Sequence, residues 1–308
     1  MDWMNAADQH GIVNLADLRH AGLARRDVAH LVRRGELTRL ARAWYAVGPV
    51  QDDEERHVLA TRAALHSHGG RAVAGHHSAL LLMGVPTYQA DLRAVRLSRR
   101  TPGPTSTTPT LRLGRCVPPG MQLAETVTPA LAAVQHGLSA GAVAALVAAD
   151  SVLHRGLATF VDLRAAADLV TGHPHSVGIA DLLRGADGRH ESPGETRLAY
   201  ALRLQGVAAT PQVAIPGSRA IVDFLLDEAP VVIEFDGRVK YGPDADEPDP
   251  CGRRRSREQV VWDEKRREDR LRELGYEVVR VVWSDLDSPR ELAARIRRAV
   301  ERSRRLSA

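Results

Sequence analysis

Apolar and polar positions alternate most sharply in the last third of the chain. In RAIVDFLLDEAPVVIEFDGRVKY (219–241), two runs rich in Val, Ile, Leu and Phe flank DEAP at 227–230. This predicts two β-strands joined by a tight turn, the second ending at Gly237. Upstream, Ser192-Pro193-Gly194-Glu195 opens a helical pattern through Leu198, Ala201 and Leu202. Downstream, 258–274 is a charged helix that Gly275 stops, YEVVRVVW (276–283) is a strand, and 290–305 is a basic amphipathic helix with Leu292, Ile296 and Val300 inward. The order is helix, three strands, helix, strand, helix. Between strand and helix, 242–256 passes from acidic (Asp244, Asp246, Glu247, Asp249) to basic (Arg253, Arg254, Arg255). That stretch reads either as a flap beside an active site or as a surface insert.

The front of the chain has a different rhythm. Ile12 to Leu15 is a short apolar entry, and Asn14 can cap a helix over 15–21 that Gly22 breaks. A second helix over 24–34 turns Val28, Leu31 and Val32 inward and ends at Gly35, where a left-handed residue is favoured. Residues 37–40 and 43–47 then read as a two-stranded wing, completing a winged helix-turn-helix pattern. Residues 52–56 form an acidic linker into an Ala-rich helix at 58–65. A capped helix at 77–84, a strand at 92–97 and a partner strand at 111–113 across a Thr/Pro/Ser-rich loop follow, as a hairpin with Arg99 and Arg100 on its flank. Helices at 130–138, 140–154 and 157–170 complete a mixed α+β middle region, and a short helix at 179–184 precedes a boundary near 188–194.

Composition narrows the class. At 308 residues, several domains are expected, here 1–50, 57–185 and 191–305. Hydrophobic content of 44% and charged content of 26% are those of a soluble globular protein. Lys and Arg number 42 against 38 acids, so the distribution of charge says more about partners than its total. Aromatics at 4% argue against a base-stacking surface for single strands. Cys116 and Cys251, far apart in unlike contexts, suggest neither disulfide nor zinc site and fit a reducing cytoplasm. MDWMNAADQHG has no basic start and apolar core, so no signal peptide is expected, and no apolar run is long enough to span a bilayer. Four histidines crowd 66–77 (His66, His68, His76 and His77), but with no Cys partner or HExxH spacing they read as packing rather than zinc.

Candidate chemistry lies in the acids of the C-terminal strands. Glu234 and Asp236 are two apart and share a strand face, and a hairpin brings Asp223 beside them. These acids either face water or gather around a divalent cation, which would offset both their repulsion and their desolvation. Oxygen ligands suit Mg²⁺ or Mn²⁺. The element order, together with IVDF, VIEFDG, KY and EKRREDRLRELGYEVVRV, resembles the PD-(D/E)XK restriction-endonuclease-like nucleases over about 191–305. The likeness is greatest to the endonuclease family related to the very-short-patch repair endonuclease. This resemblance implies Asp223 and Glu234 as metal ligands aided by the Phe235 carbonyl, and Glu195 as the helix acid. It also implies phosphodiester hydrolysis. Asp236 stands where the family signature has its Lys, leaving Lys240 or Lys265 to supply the cation.

At the other end, GLARRDVAHLVRRGELTRLARAWYAV resembles the N-terminal domain of AbiEi-type antitoxins and related transcriptional regulators over about 8–48. The resemblance implies that the second helix enters the major groove of double-stranded DNA, and that a cognate toxin is a partner. Arg25 and Arg26 would then meet bases, while Arg33, Arg34, Arg39 and Arg42 pair with phosphates. A protein-binding winged helix with merely solvated arginines is the alternative. Two functions follow: a DNA endonuclease, or a non-catalytic antitoxin-like regulator with a degenerate nuclease domain.

Overall fold

In the computed structural model, which describes residues 3–218, 220–237 and 257–306, Asn14 accepts the Ala16 N–H at 2.8 Å. This contact starts α1 (Leu15–His20) directly after β1 (Ile12–Asn14). In α2 (Arg25–Arg33), Asp27 reaches back to the Ala24 N–H at 2.8 Å. Gly35, at φ +74°, makes the left-handed exit from this helix. β2 (Leu37–Ala41) and β3 (Trp44–Val47) form the wing, and β1 joins β3 to give an antiparallel sheet of order β1-β3-β2. Val13, Leu18, Val28 and Leu37 are its core, with Leu31 and Val32 packed against them. The expected helix, turn, helix and wing are all present.

The chain divides into two compact units between Ala186 and Asp187. In the first, α3 (Asp53–His68) abuts the wing, and Trp44 Nε1 donates to Ser67 Oγ at 2.7 Å. The acids read as a linker belong to this helix: Asp52 caps it by accepting the Glu55 N–H at 2.8 Å. Acids suit that position because the first-turn N–H groups lack partners. A second sheet contains β4 (Ala72–Ala74), β5 (Val95–Arg99), β6 (Ser106–Thr107) and β7 (Leu111–Cys116), in the order β4-β5-β7-β6. The expected hairpin is corrected here, since β5 and β7 are parallel. Only β6 turns back on β7, so the intervening loop serves as a crossover. α4 (His76–Leu82) packs on β5, α5 (Pro129–Ala140) packs on α4, and α6 (Ala142–His154), α7 (Phe160–Asp168) and α8 (Ser176–Leu183) gather against α5.

The second unit comprises α9 (Pro193–Leu204), β8 (Ala209–Ala214), β9 (Ile221–Leu226), β10 (Val231–Asp236), α10 (Arg257–Glu273), β11 (Glu277–Val282) and α11 (Pro289–Leu306). Its sheet has the order β11-β10-β9-β8; β10 runs parallel to β11 and antiparallel to β9. Leu198 and Leu202 of α9 and Leu292 and Ile296 of α11 bury Phe224, Ile233 and Val281 on one face. Leu271 and Leu274 of α10 cover Val232 and Leu225 on the other. Alternation along the strands thus supplies both cores of a three-layer unit. Lys240, Cys251 and the 242–256 stretch lie outside the described residues. Among the described residues, no helix is long and apolar enough to cross a membrane.

The histidines are used for packing. Among the described residues, no group of three or more His, Cys, Asp and Glu side chains is arranged to hold a metal ion. His66 pairs with Asp8 at 3.2 Å, and the His68 ring bonds the Ala64 carbonyl at 2.7 Å. His77 instead joins His57 and His136 in a buried row, with ring centroids 4.9 and 5.8 Å apart. A carbonyl can only accept, so each ring donates one N–H to the segment leading into β5. His57 Nδ1 meets Leu92 O at 2.9 Å, His77 Nε2 meets Ala94 O at 3.3 Å, and His136 Nε2 meets Tyr88 O at 2.9 Å. Burial lowers the pKa of His77 to about 3 and that of His136 to about 4. Because an unfolded histidine titrates near 6.5, the folded state binds fewer protons below that pH. The clasp is therefore at full strength above pH ~6.5 and is lost as pH falls toward 4. Hydrogen exchange over residues 85–94, corrected for intrinsic rates, should show protection falling through that window; constant protection between pH 7 and 4 would remove this role for the three rings.

Candidate functional site

Asp223 interrupts an otherwise regular sheet. The β9–β10 ladder pairs Leu225 with Val232 and Phe224 with Ile233. One step on, the Asp223 carboxylate itself accepts the Phe235 N–H at 2.7 Å. Asp223 is thereby held beside Glu234. On its other flank, the β8 pairing passes from Pro211↔Phe224 to Val213↔Val222, with Gln212 between them at φ +54°. Val222 consequently joins the core under α10 although Phe224, two positions later, joins the opposite one. The strand twists at Asp223, and this turns its carboxylate toward β10.

Glu195 approaches from the first turn of α9. Ser192 caps the helix by accepting the Glu195 N–H at 3.2 Å, and donates its hydroxyl to Glu195 Oε1 at 2.7 Å. Oε2 accepts the Glu191 N–H and Gln212 Nε2, both at 3.0 Å. Both oxygens of the buried Glu195 thus accept hydrogen bonds, which fix the carboxylate at the start of α9. Its charge still bears on the site: burial, with the negative charges of Glu195 and Glu234 beside it, raises the Asp223 pKa to about 6. The Phe235 N–H and Arg267 pull the other way.

Arg267 of α10 is the cation that sequence reasoning missed. It forms an ion pair with Glu234 at 3.0 Å and donates to the Ile221 carbonyl at 2.5 Å. Lys265 does not take this part. It lies two positions away on a helix that turns 100° per residue, so it faces the opposite direction and is exposed. Asp236 ends β10, half-buried, in register with Val282 of the parallel ladder. Phe235 pairs with Val281, and its ring stands edge-on to Trp283 at 5.0 Å. That ring fills the space against α9 where a Cβ on Gly194 would lie, 1.9 Å from its Cε1. Gly194 therefore sets how closely the helix bearing Glu195 approaches the acid-bearing strands. Gln212, too, was missed, because a glutamine in a strand carries no signal until its backbone is seen.

In the first unit the six arginines expected to meet DNA are all exposed. On α2, exposed Arg26, His30 and Arg33 occupy the arc opposite buried Val28, and exposed Arg25 opens the helix at its flank. Arg34 pairs with Glu36 at 2.6 Å, and Arg26 stands 3.7 Å from Asp27. Among the described residues, Arg25, Arg33, Arg39 and Arg42 have no acidic partner. Residues 4–48 match the family described as "Transcriptional regulator, AbiEi antitoxin". The chain carries an AbiEi-type domain at its N-terminus. In this domain the helix after the turn presents a basic face to solvent. No curated protein matches the chain. Among solved structures, the RV2827C protein from Mycobacterium tuberculosis is 14% identical, with a TM-score of 0.38, over 62% of this chain and 75% of that one.

The Gly194 contact yields a direct test. Gly194→Ala must push α9 away from Phe235 or the ring out of its site, costing about 1–3 kcal/mol. Adding Phe235→Leu should recover part of this in a double-mutant thermal unfolding cycle, whereas additive losses would show that the two residues do not share one space.

Proposed function

We propose that this chain is a duplex-DNA-binding protein whose second unit is a restriction-endonuclease-like domain that hydrolyses phosphodiester bonds with Mg²⁺ or Mn²⁺. The observation carrying this reading is Asp223, a half-buried carboxyl displaced from water and set against two further acids, with its pKa raised to about 6. Such an arrangement is unfavourable for an empty fold and favourable for one that binds a cation. The succession of α9, three strands, α10, β11 and α11 supports the same reading.

The donor set suits a hard cation. Glu234 Oε1 is shut off from solvent and, despite its ion pair, receives no hydrogen bond. Mg²⁺ is held by one or two carboxylates and completes its shell with water and phosphate oxygens. Asp223 and Glu234 would be those carboxylates, with the Phe235 carbonyl beside them. When bound there, the ion would acidify a water and offset negative charge on the phosphoryl oxygens. Arg267 would bring a planar guanidinium to the phosphate. Gln212 and Ser192 would keep Glu195 fixed so that its charge acts on Asp223. The AbiEi-type domain would engage the duplex in the cytoplasm, with Arg25 and Arg26 toward bases and Arg33, Arg34, Arg39 and Arg42 on phosphates.

One observation favours a second reading. Arg267 already neutralises Glu234 at 3.0 Å, and Glu195 is fully hydrogen-bonded. The acids would then form a self-contained network, in a degenerate nuclease domain retained by an antitoxin-like regulator that binds a cognate toxin.

Asp223→Asn separates the two, because the amide can still accept the Phe235 N–H. The raised pKa means that Asp223 costs stability as pH rises from about 4 through about 6, and the cost persists above that. At pH 7.5 the variant should gain up to about 3 kcal/mol in metal-free buffer. For the nuclease, Mg²⁺ raises the wild-type Tm and supports plasmid nicking, and Asp223→Asn loses both. Nicking by the variant at the wild-type rate would show the site to be misassigned; a wild type indifferent to Mg²⁺ and unable to nick favours the regulator. For the first unit, Arg25→Ala with Arg26→Ala should weaken duplex binding at least tenfold and relax discrimination between duplex sequences. Wild-type affinity and discrimination in an electrophoretic titration would take those residues off the bases.

A further inference from the structure

Positive charge is also gathered in the first unit, away from the winged helix. Arg96 of β5 and Arg112 of β7 stand directly opposite each other on neighbouring parallel strands. Like charges placed this way are mutually destabilising. Among the described residues neither has an acidic partner. The acid whose charge reaches Arg96 is Asp91, and Arg93 Nε already donates to it at 2.8 Å. Burial and the charge of Arg112 hold Arg96 below its ordinary pKa.

The surroundings add polar groups rather than counter-charge. Arg96 Nε is shut off from solvent with no hydrogen-bond partner. His136, fully buried, commits Nε2 to Tyr88 O, and its Nδ1 has no partner. His76 opens α4 at φ +53°, a left-handed conformation that histidine seldom adopts, and its N–H donates to Gln135 Oε1 at 3.1 Å. Its ring lies within the field of Arg96, His136 and Arg112, which, after burial, keep it neutral. Unmatched guanidinium groups, orphaned buried nitrogens and a strained backbone are thus neighbours, and among the described residues no acid pairs with either guanidinium.

We infer that Arg96, Arg112, His76, Gln135 and His136 form a binding site for a phosphate group, either free or as the terminal phosphate of a small ester. Guanidinium forks match phosphate oxygens two at a time. With Nε2 carrying its hydrogen, His136 Nδ1 is a lone pair able to accept the remaining P–OH. Neither a carboxylate nor sulfate offers that hydroxyl at neutral pH, so the site should favour phosphate over both.

The test is calorimetric titration of the full chain at pH 7 and constant ionic strength, with inorganic phosphate, sulfate, adenosine monophosphate and adenosine. Saturable binding of phosphate, weaker or absent with sulfate, is the expected result. Adenosine should not bind; the monophosphate binding more tightly than phosphate identifies an ester site, and the reverse a site for the free anion. Arg112→Gln, on an exposed side chain, should weaken phosphate at least tenfold without loss of fold. Arg96→Gln should do the same while raising the Tm in phosphate-free buffer, since it removes a like-charge pair. The Arg25→Ala, Arg26→Ala protein should bind phosphate as wild type does. Absence of saturable phosphate binding, or wild-type affinity in Arg96→Gln, overturns the proposal.

Discussion

The second unit depends on one carboxylate set where a strand would otherwise pair through its backbone. Asp223 accepts the Phe235 N–H, so the β9–β10 ladder gives way to a side-chain contact at the point where Glu234 stands. Everything nearby accommodates that substitution. Gln212 adopts a left-handed backbone, Val222 changes face, and Gly194 forgoes a side chain so that α9 can close on Phe235. The contact costs something electrostatically, because burial and two neighbouring acids disfavour the charge that the N–H prefers. A sheet needing only stability would use a backbone carbonyl at this position.

The first unit handles desolvation in two ways. In the row of His57, His77 and His136, burial removes the charge altogether, and each neutral ring spends its one N–H on a carbonyl. A few residues away, Arg96 cannot discard its proton at any accessible pH, so the same burial leaves charge without a counter-charge. Imidazole and guanidinium thus respond oppositely to one environment. The first gives structure, and the second leaves a demand for an anion.

What was legible in the sequence follows from which signals are local. Asn14, Gly35 and the apolar spacing of α2 specify the winged helix within a few residues, and these elements formed as expected. Alternation in 219–237 likewise placed β9 and β10, and the acids stood out against it. The parallel pairing of β5 with β7 was not readable, because direction depends on how a loop swings and β6 is only Ser106–Thr107. Arg267 was hidden among the many charges of α10; only the packing of Leu271 and Leu274 fixes which face of that helix meets the sheet. Lys265, two positions from Arg267 on α10, is exposed. Glu195 was found for the family it resembles, yet its oxygens serve the cap that Ser192 begins.

Arg267 is where the competing accounts of the second unit divide. A guanidinium 3.0 Å from Glu234 serves either as a permanent counter-ion or as a phosphate ligand that rests on the acid until substrate arrives. Its other contact bears on the choice. By donating to the carbonyl of Ile221, the first residue of β9, it anchors on that strand, so its place does not depend on Glu234 alone. A group held by backbone can release a carboxylate without losing position, whereas a pure ion pair cannot. Asp223 is held above its ordinary pKa first by burial, with the charges of Glu195 and Glu234 adding to it, and the Phe235 N–H and Arg267 oppose this only in part. Under the proposed function, Arg267 would move from Glu234 to the phosphate while a divalent cation takes its place between the acids.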